Sequence, residues 1–278
     1  MNLKILVCCH KEAVCTNKEN YLPIHVGKAL SDKDLHIQTD DSGDNISNKN
    51  GSFCELTGLY WAWKNLTDVD YIGLCHYRRF FDFHGQCKSM LPVTQFSSSK
   101  FSQIDLSIPQ KIKKYLEQGI IIAPSEKNYR CSLHVDYCVA HMSEDIRILE
   151  QVVNELSSKD IIEAYKHIMH KNHKLMNFNM FIMSWAQFDD YCQWMFKTLF
   201  EVERRIDISK YDSVQKRIFG YMSERLFNVY IYAKHLKVKQ FPIIWINDNP
   251  SKIYTSRIRY FLRCQMNELA FRLNSNLT

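Results

Sequence analysis

Apolar and polar positions follow two periods along this chain, and the switches between them predict alternating strands and helices. Lys4-Ile5-Leu6-Val7-Cys8-Cys9 is a short apolar run that gives way at once to His10-Lys11-Glu12, the pattern of a first buried strand and the loop at its carboxyl end. Residues 39–51 hold Asp40, Asp41, Ser42, Gly43, Asp44, Asn45 and Asn48, a turn-forming composition. Ser52 and Glu55 then make an S-x-x-E capping box, and Leu56, Leu59, Tyr60 and Trp63 follow at the spacing of one buried helix face. Asp70-Tyr71-Ile72-Gly73-Leu74-Cys75 is apolar enough for the centre of a sheet and stops abruptly at His76-Tyr77-Arg78-Arg79. In open α/β sheets ligands bind at that edge of the strands.

Residues 82–107 lack a regular pattern, carry the serine run Ser97-Ser98-Ser99, and read as a surface excursion beside the same edge. Residues 119–123 form a second apolar strand, ended by Pro124. Helical spacing covers 145–156 and 160–169, a buried strand interrupted by Asn179 covers 178–183, and long amphipathic helices cover 188–203 and 213–233. A last apolar strand falls at 241–246. This order predicts an α/β domain over residues 1–250, a mainly parallel central sheet flanked by helices, with a helical C-terminal extension over 251–278.

With 278 residues and 46% hydrophobic content, the chain can bury one full core. No apolar run approaches the roughly 18–20 residues that span a bilayer, and the first nine residues are too short for a signal peptide, so a cytoplasmic location is expected. The ten cysteines sit in apolar segments (Cys8, Cys9, Cys75, Cys192) without paired CxxC spacing, which favours reduced core thiols. The net charge of +6 is concentrated at the end of the chain, where Lys252, Arg257, Arg259, Arg263 and Arg272 oppose Glu268 alone. Ile253, Tyr254, Ile258, Tyr260, Phe261 and Leu262 are interleaved with them. Residues 252–272 therefore suit either an anionic membrane surface or ordinary packing as a terminal helix. The excess charge is small and no nucleic-acid reader motif accompanies it, so no nucleic acid partner is expected.

Arg78 and Arg79 offer forked cationic donors that match two phosphate oxygens, although neighbours on an extended chain point opposite ways and one of them suits a surface carboxylate equally well. His76 and Tyr77 are candidates for hydrogen bonds to a sugar or phosphate. There is no GxxxxGK[ST], GxGxxG or GxSxG, which removes the usual support for ATPase, dinucleotide and serine-hydrolase chemistry. His167, His170 and His173 spread over about 120° of a helix, which favours a solvated face over a zinc site.

The segment Phe53-Cys54-Glu55-Leu56-Thr57-Gly58-Leu59-Tyr60-Trp61-Ala62-Trp63-Lys64-Asn65, the strand end Cys75-His76-Tyr77-Arg78-Arg79-Phe80-Phe81 and the run Gly220-Tyr221-Met222-Ser223-Glu224-Arg225-Leu226 together resemble a family of bacterial glycosyltransferases. That family was long catalogued only as a domain of unknown function and occurs in capsular polysaccharide, exopolysaccharide and O-antigen gene clusters. The resemblance implies a GT-A-like fold that binds a nucleotide sugar, with galactofuranose transferred by some members. Where the wider GT-A class holds a divalent metal on Asp-x-Asp, this sequence has His76-Tyr77-Arg78-Arg79. That departure predicts metal-independent transfer without a cofactor, Arg78 or Arg79 stabilising departing UDP. Mn or Mg stays open, with Asp40, Asp41 and Asp44 as fallback ligands.

An inverting transfer needs a general base, for which Asp136 and Glu224 are the candidates. The alternatives for them are a turn role for Asp136 and an ion pair of Glu224 with Arg217 or Arg225. His10, Lys11, Asp41, Asn45, His76, Tyr77, Arg78, Arg79 and Asn179 are the candidate donor-binding residues. The leading expectation is a hexosyltransferase, peripheral on the inner face of the cell membrane, that moves a sugar from a UDP-sugar to a lipid-linked glycan. The alternative from a different class is a catalytically inactive nucleotide- or carbohydrate-binding module that assists a partner transferase.

Overall fold

The computed structural model describes residues 1–11, 19–87, 91–249 and 256–275; Glu12, Lys252, Ile253 and Tyr254 fall outside the described residues. The strands are β1 (Leu3–Cys9), β2 (Tyr21–His25), β3 (Gln38–Thr39), β4 (Tyr71–His76), β5 (Arg79–Phe81), β6 (Val93–Phe96), β7 (Ile121–Pro124), β8 (Lys127–Asn128), β9 (Lys174–Leu175), β10 (Phe181–Ser184), β11 (Val238–Phe241) and β12 (Ile243–Ile246). The α-helices are α1 (Asn50–Phe53), α2 (Leu56–Asn65), α3 (Gln110–Glu117), α4 (Leu133–Ala140), α5 (Ser143–Leu156), α6 (Lys159–Lys171), α7 (Trp185–Arg205), α8 (Ile218–Ala233) and α9 (Arg257–Ser275).

The main sheet runs β11-β7-β10-β4-β1-β2-β3. β4, β1, β2 and β3 are mutually parallel, as are β7 and β11, while β10 lies antiparallel to both of its neighbours. β12 pairs with β5 and β6 and extends the sheet beyond the turn that leaves β4. Successive side chains of a strand face opposite ways, so Leu3, Ile5, Val7 and Cys9 of β1 enter one core while Leu6 and Cys8 enter the other. Burial on both faces is what makes β1 and β4 read as unbroken apolar runs. One core packs α2 and α4 to α8 against the sheet; the other packs α3 and the segment leading to it.

Several expectations need correction. Cys54 takes a left-handed backbone with φ 52°, which ends α1 and starts α2 afresh at Leu56. The Ser52–Glu55 capping box therefore does not form; the Ser52 hydroxyl donates to the Lys49 carbonyl at 3.2 Å instead. The capping box that does form lies at Ser184 and Gln187, where β10 turns directly into α7. Phe178 and Asn179 have φ of 77° and 53°, so Asn179 belongs to the turn before β10 and does not interrupt the strand. Residues 82–107 are not a surface excursion: Phe83, Phe101, Ile104 and Leu106 are buried, and β6 pairs with β12. The span 241–246 contains the end of β11, a break at Pro242, and β12. α8 starts only at Ile218, after a 3-10 turn at Gln215–Arg217.

The three histidines share no solvated face. His167 stacks on Tyr232, His170 meets Glu150 and His134, and His173 lies beyond α6 and bonds Glu268. α9 docks through that last contact, through stacking of His173 on Phe271, and through Asn267 Nδ2 donating to the Asn128 carbonyl at 2.8 Å. It leaves Ile258, Phe261, Leu262, Met266, Leu269 and Leu273 exposed, together with Arg257, Arg259 and Arg263. Among the described residues no helix is long and apolar enough to cross a membrane.

Asp40 is fully buried, and its carboxylate accepts from the backbone N–H groups of Gly27 and Lys28 and from the hydroxyls of Ser47 and Thr57. These bonds tie the loop after β2 to the start of α2, so Asp40 is committed to the fold and is not available as a metal ligand. Asp40→Ala would leave two N–H groups and two hydroxyls without their acceptor. A loss of about 3 kcal/mol in urea unfolding is expected.

Candidate active site

A cleft of about 860 Å³ opens at the carboxyl ends of β1 and β4. β1 contributes Cys8 and, just beyond its end, His10; β4 contributes His76. β4 and β5 pair only at His76 and Arg79, so Tyr77 and Arg78 form the tip of a tight turn and the two arginines part ways. Arg78 is exposed and donates to the Tyr77 hydroxyl at 2.6 Å. Arg79 is half-buried, with its guanidinium 4.9 Å from the Phe178 ring centre and 5.3 Å from that of Trp245. Its buried Nε has no hydrogen-bond partner among the described residues. A flat cation packed on aromatic rings can keep its edge free for an anion.

The turn before β10 braces the opposite wall. The Phe178 N–H donates to Glu224 Oε1 at 2.7 Å, and the Phe178 carbonyl accepts from His76 Nε2 at 2.7 Å. Asn179 is buried; its Nδ2 donates to Glu55 Oε1 at 2.7 Å and to the Gly220 carbonyl at 3.1 Å, while its Oδ1 accepts from the Ser223 hydroxyl. Asn179 thus holds Glu55 in the cleft wall and does not itself line the cleft. At Gly220 α8 passes Cys54 in ordinary van der Waals range, since an added Cβ would lie 3.4 Å from its Cβ and Sγ.

Four cations, Arg78, Arg79, Lys216 and Arg217, line the cleft with two carboxylates, Glu55 and Glu224. Such an excess favours an anionic ligand. Burial raises the Glu224 pKa above the usual glutamate range, with Arg225 opposing the shift. Burial likewise holds His76 low, and at His10 burial acts together with the nearby Lys11 and Arg78. At Arg79 burial works against the charge while Glu55 and Glu224 favour it. The Cys54 thiol is pushed up to about 11 by burial, so it stays protonated and accepts a hydrogen bond from Arg217 Nε at 3.4 Å.

Of the residues singled out in the sequence, the cleft gathers His10, His76, Tyr77, Arg78, Arg79 and Glu224. Lys11 lies beside it, with its Nζ 5.9 Å from the Tyr77 ring centre. Asp41 and Asn45 are elsewhere: Asn45 Nδ2 donates to the Asp41 and Gly43 carbonyls and stabilises its own turn. Asp44 accepts from the Tyr60 hydroxyl. Asp136 sits on α4 outside the cleft and pairs with Arg225 at 3.4 Å. Sequence reasoning missed Glu55, Lys216, Arg217 and Trp245 as cleft residues. One signal was present for the two cations: they stand at the start of a helix, where positive charge is unfavourable and a further reason is needed.

The GT-A class implies a divalent cation against a donor diphosphate. The cleft offers no set of three His, Cys, Asp or Glu side chains that converge as ligands among the described residues. The charged side chains that line the cleft are mainly cationic.

Residues 4–235 match the family model described as "Domain of unknown function (DUF4422)". The chain belongs to this DUF4422 family. That is the family expected from the Glu55–Asn65 and His76–Phe81 motifs. Among solved structures, this DUF4422 chain is similar to the apo structure of the WbbM bifunctional glycosyltransferase, with a TM-score of 0.80 and 29% identity. The match covers 90% of this chain and 47% of that one, so the chain spans about half the length of that relative. No curated protein matches. The DUF4422 chain thus has the α/β fold, with a mostly parallel central sheet, expected from its alternating pattern, and shares it with a known glycosyltransferase.

Proposed function

We propose that this protein is an inverting glycosyltransferase that moves a hexosyl group, galactofuranose being one candidate, from a UDP-sugar to a glycan. The observation that carries this reading is the pairing of a cationic wall with a carboxylate of raised pKa in one cleft at the strand ends. The donor diphosphate lies against Arg79, Arg78 and Arg217, and the acceptor hydroxyl approaches Glu224. The acceptor oxygen bonds the anomeric carbon as the bond from that carbon to the phosphate oxygen breaks. Glu224 takes the hydroxyl proton, and UDP leaves with the electron pair, its new charge met by guanidinium groups in place of a metal.

The acceptor is proposed to be a lipid-linked surface polysaccharide reached from the membrane face. The apolar stripe Ile258, Leu262, Met266, Leu269 and Leu273 on α9, flanked by Arg257, Arg259 and Arg263, supports this, since such a helix seats its apolar side in a bilayer interface and its cations on anionic headgroups.

The test is UDP release from a panel of UDP-sugars, UDP-galactofuranose included, with lipid-linked acceptor presented in anionic vesicles. Release that depends on acceptor, continues in EDTA and comes with co-sedimentation on the vesicles is the expected result. Activity lost in EDTA and restored by manganese would overturn the metal-independent step. UDP binding without release from any donor would favour a binding module instead.

A further inference from the structure

The geometry points to a divalent transition-metal site, suited to zinc, formed by His134, Glu150 and His170 on the helical layer away from the cleft. The three residues come from three consecutive helices, α4, α5 and α6, and none lines the cleft. One ligand atom from each lies within 4.8 Å of the others. The two imidazole rings face each other, with centres 4.6 Å apart and planes at 31°, and His170 Nε2 is 3.2 Å from Glu150 Oε1. Small rotations of the side chains bring three such atoms to the roughly 2 Å bonds of a zinc site.

One further observation separates this cluster from a chance meeting of surface side chains. His134 Nδ1 is buried and has no hydrogen-bond partner among the described residues, an arrangement that costs stability unless something satisfies the nitrogen. His170 is exposed, so an ion reaches the site from solvent.

Two imidazoles and one carboxylate select a late first-row divalent ion over magnesium or calcium, which prefer all-oxygen shells. Three protein ligands leave a position for water. The bound ion would pin α4, α5 and α6 to one another. α4 also carries Asp136, which pairs with Arg225 beside Glu224 on α8, so the clamp would steady the helices behind the cleft wall without touching substrate.

Untagged protein stripped of metal is titrated with zinc chloride by calorimetry, with no nucleotide or acceptor present. The expected result is one zinc per chain and a Tm that rises with the logarithm of free zinc. His170→Ala should weaken zinc binding at least about tenfold, as loss of a metal-site residue does. His167→Ala, three residues earlier on the same helix, should leave binding intact. Cobalt loaded into the unaltered protein should give the visible absorption of a low-coordinate nitrogen and oxygen site, a readout that needs no variant to fold. No stoichiometric zinc uptake by the unaltered protein, or uptake undiminished in folded His170→Ala, would overturn the assignment.

Discussion

Arg79→Ala is expected to lower the rate of sugar transfer by about 10²–10³, the usual effect of removing one preorganised donor from a developing charge. The expectation follows from its seat: the guanidinium packs near the Phe178 and Trp245 rings in the cleft wall, and its Nε has no hydrogen-bond partner among the described residues. Arg79→Lys keeps the charge but loses the planar fork and the stacking, and should recover only a small part of the rate. Arg78 is exposed and already engaged with the Tyr77 hydroxyl, so Arg78→Ala should weaken UDP binding more mildly. Titration calorimetry with UDP, alongside steady-state rates, separates the two roles. Unchanged UDP affinity in both alanine variants would remove the arginines from the donor site.

Glu224→Gln is the second large effect, with a loss of about 10²–10⁴ expected for a general base. The amide oxygen still accepts from the Phe178 N–H, so the turn before β10 should keep its shape. The sign of the pH dependence follows from burial. Because the folded-state pKa of Glu224 is raised, the base is ionised only at higher pH, and activity should rise with pH along a limb placed above the ordinary glutamate value of about 4.3. The same shift means that any stability tied to the protonated form is present at low pH and is lost as pH rises through the raised value. Glu224→Gln should therefore be no less stable than the parent at neutral pH, and should lose the acid limb. An unchanged pH–rate profile in the variant would assign the limb to another group, with Glu55 the first to examine.

How much of this was legible in the sequence differs from residue to residue for physical reasons. β1 and β4 were readable because burial on both faces demands unbroken apolar runs, and the sheet edge followed from where the runs stop. Glu55 was misread because Ser52 and Glu55 have the right spacing for a cap, whereas the helix breaks between them at Cys54 and the carboxylate is held by Asn179, 124 residues away. No local pattern encodes that contact. Asp136 and Asn45 have the composition of site residues but spend their hydrogen-bonding capacity on Arg225 and on a turn. Which polar residue meets a ligand and which meets a neighbour is decided by the tertiary structure.

The reversed direction of β10 has a further consequence. In a wholly parallel sheet only the segments that leave the strands would reach the ligand edge, but here the chain arrives there through Phe178 and Asn179 before it traverses the sheet and departs into α7 from the far side. The cleft and long-helix packing are thereby placed at opposite rims of one four-residue strand. Exchanges around Ser184 and Trp185 should therefore shift melting behaviour while leaving UDP binding at the far rim unchanged.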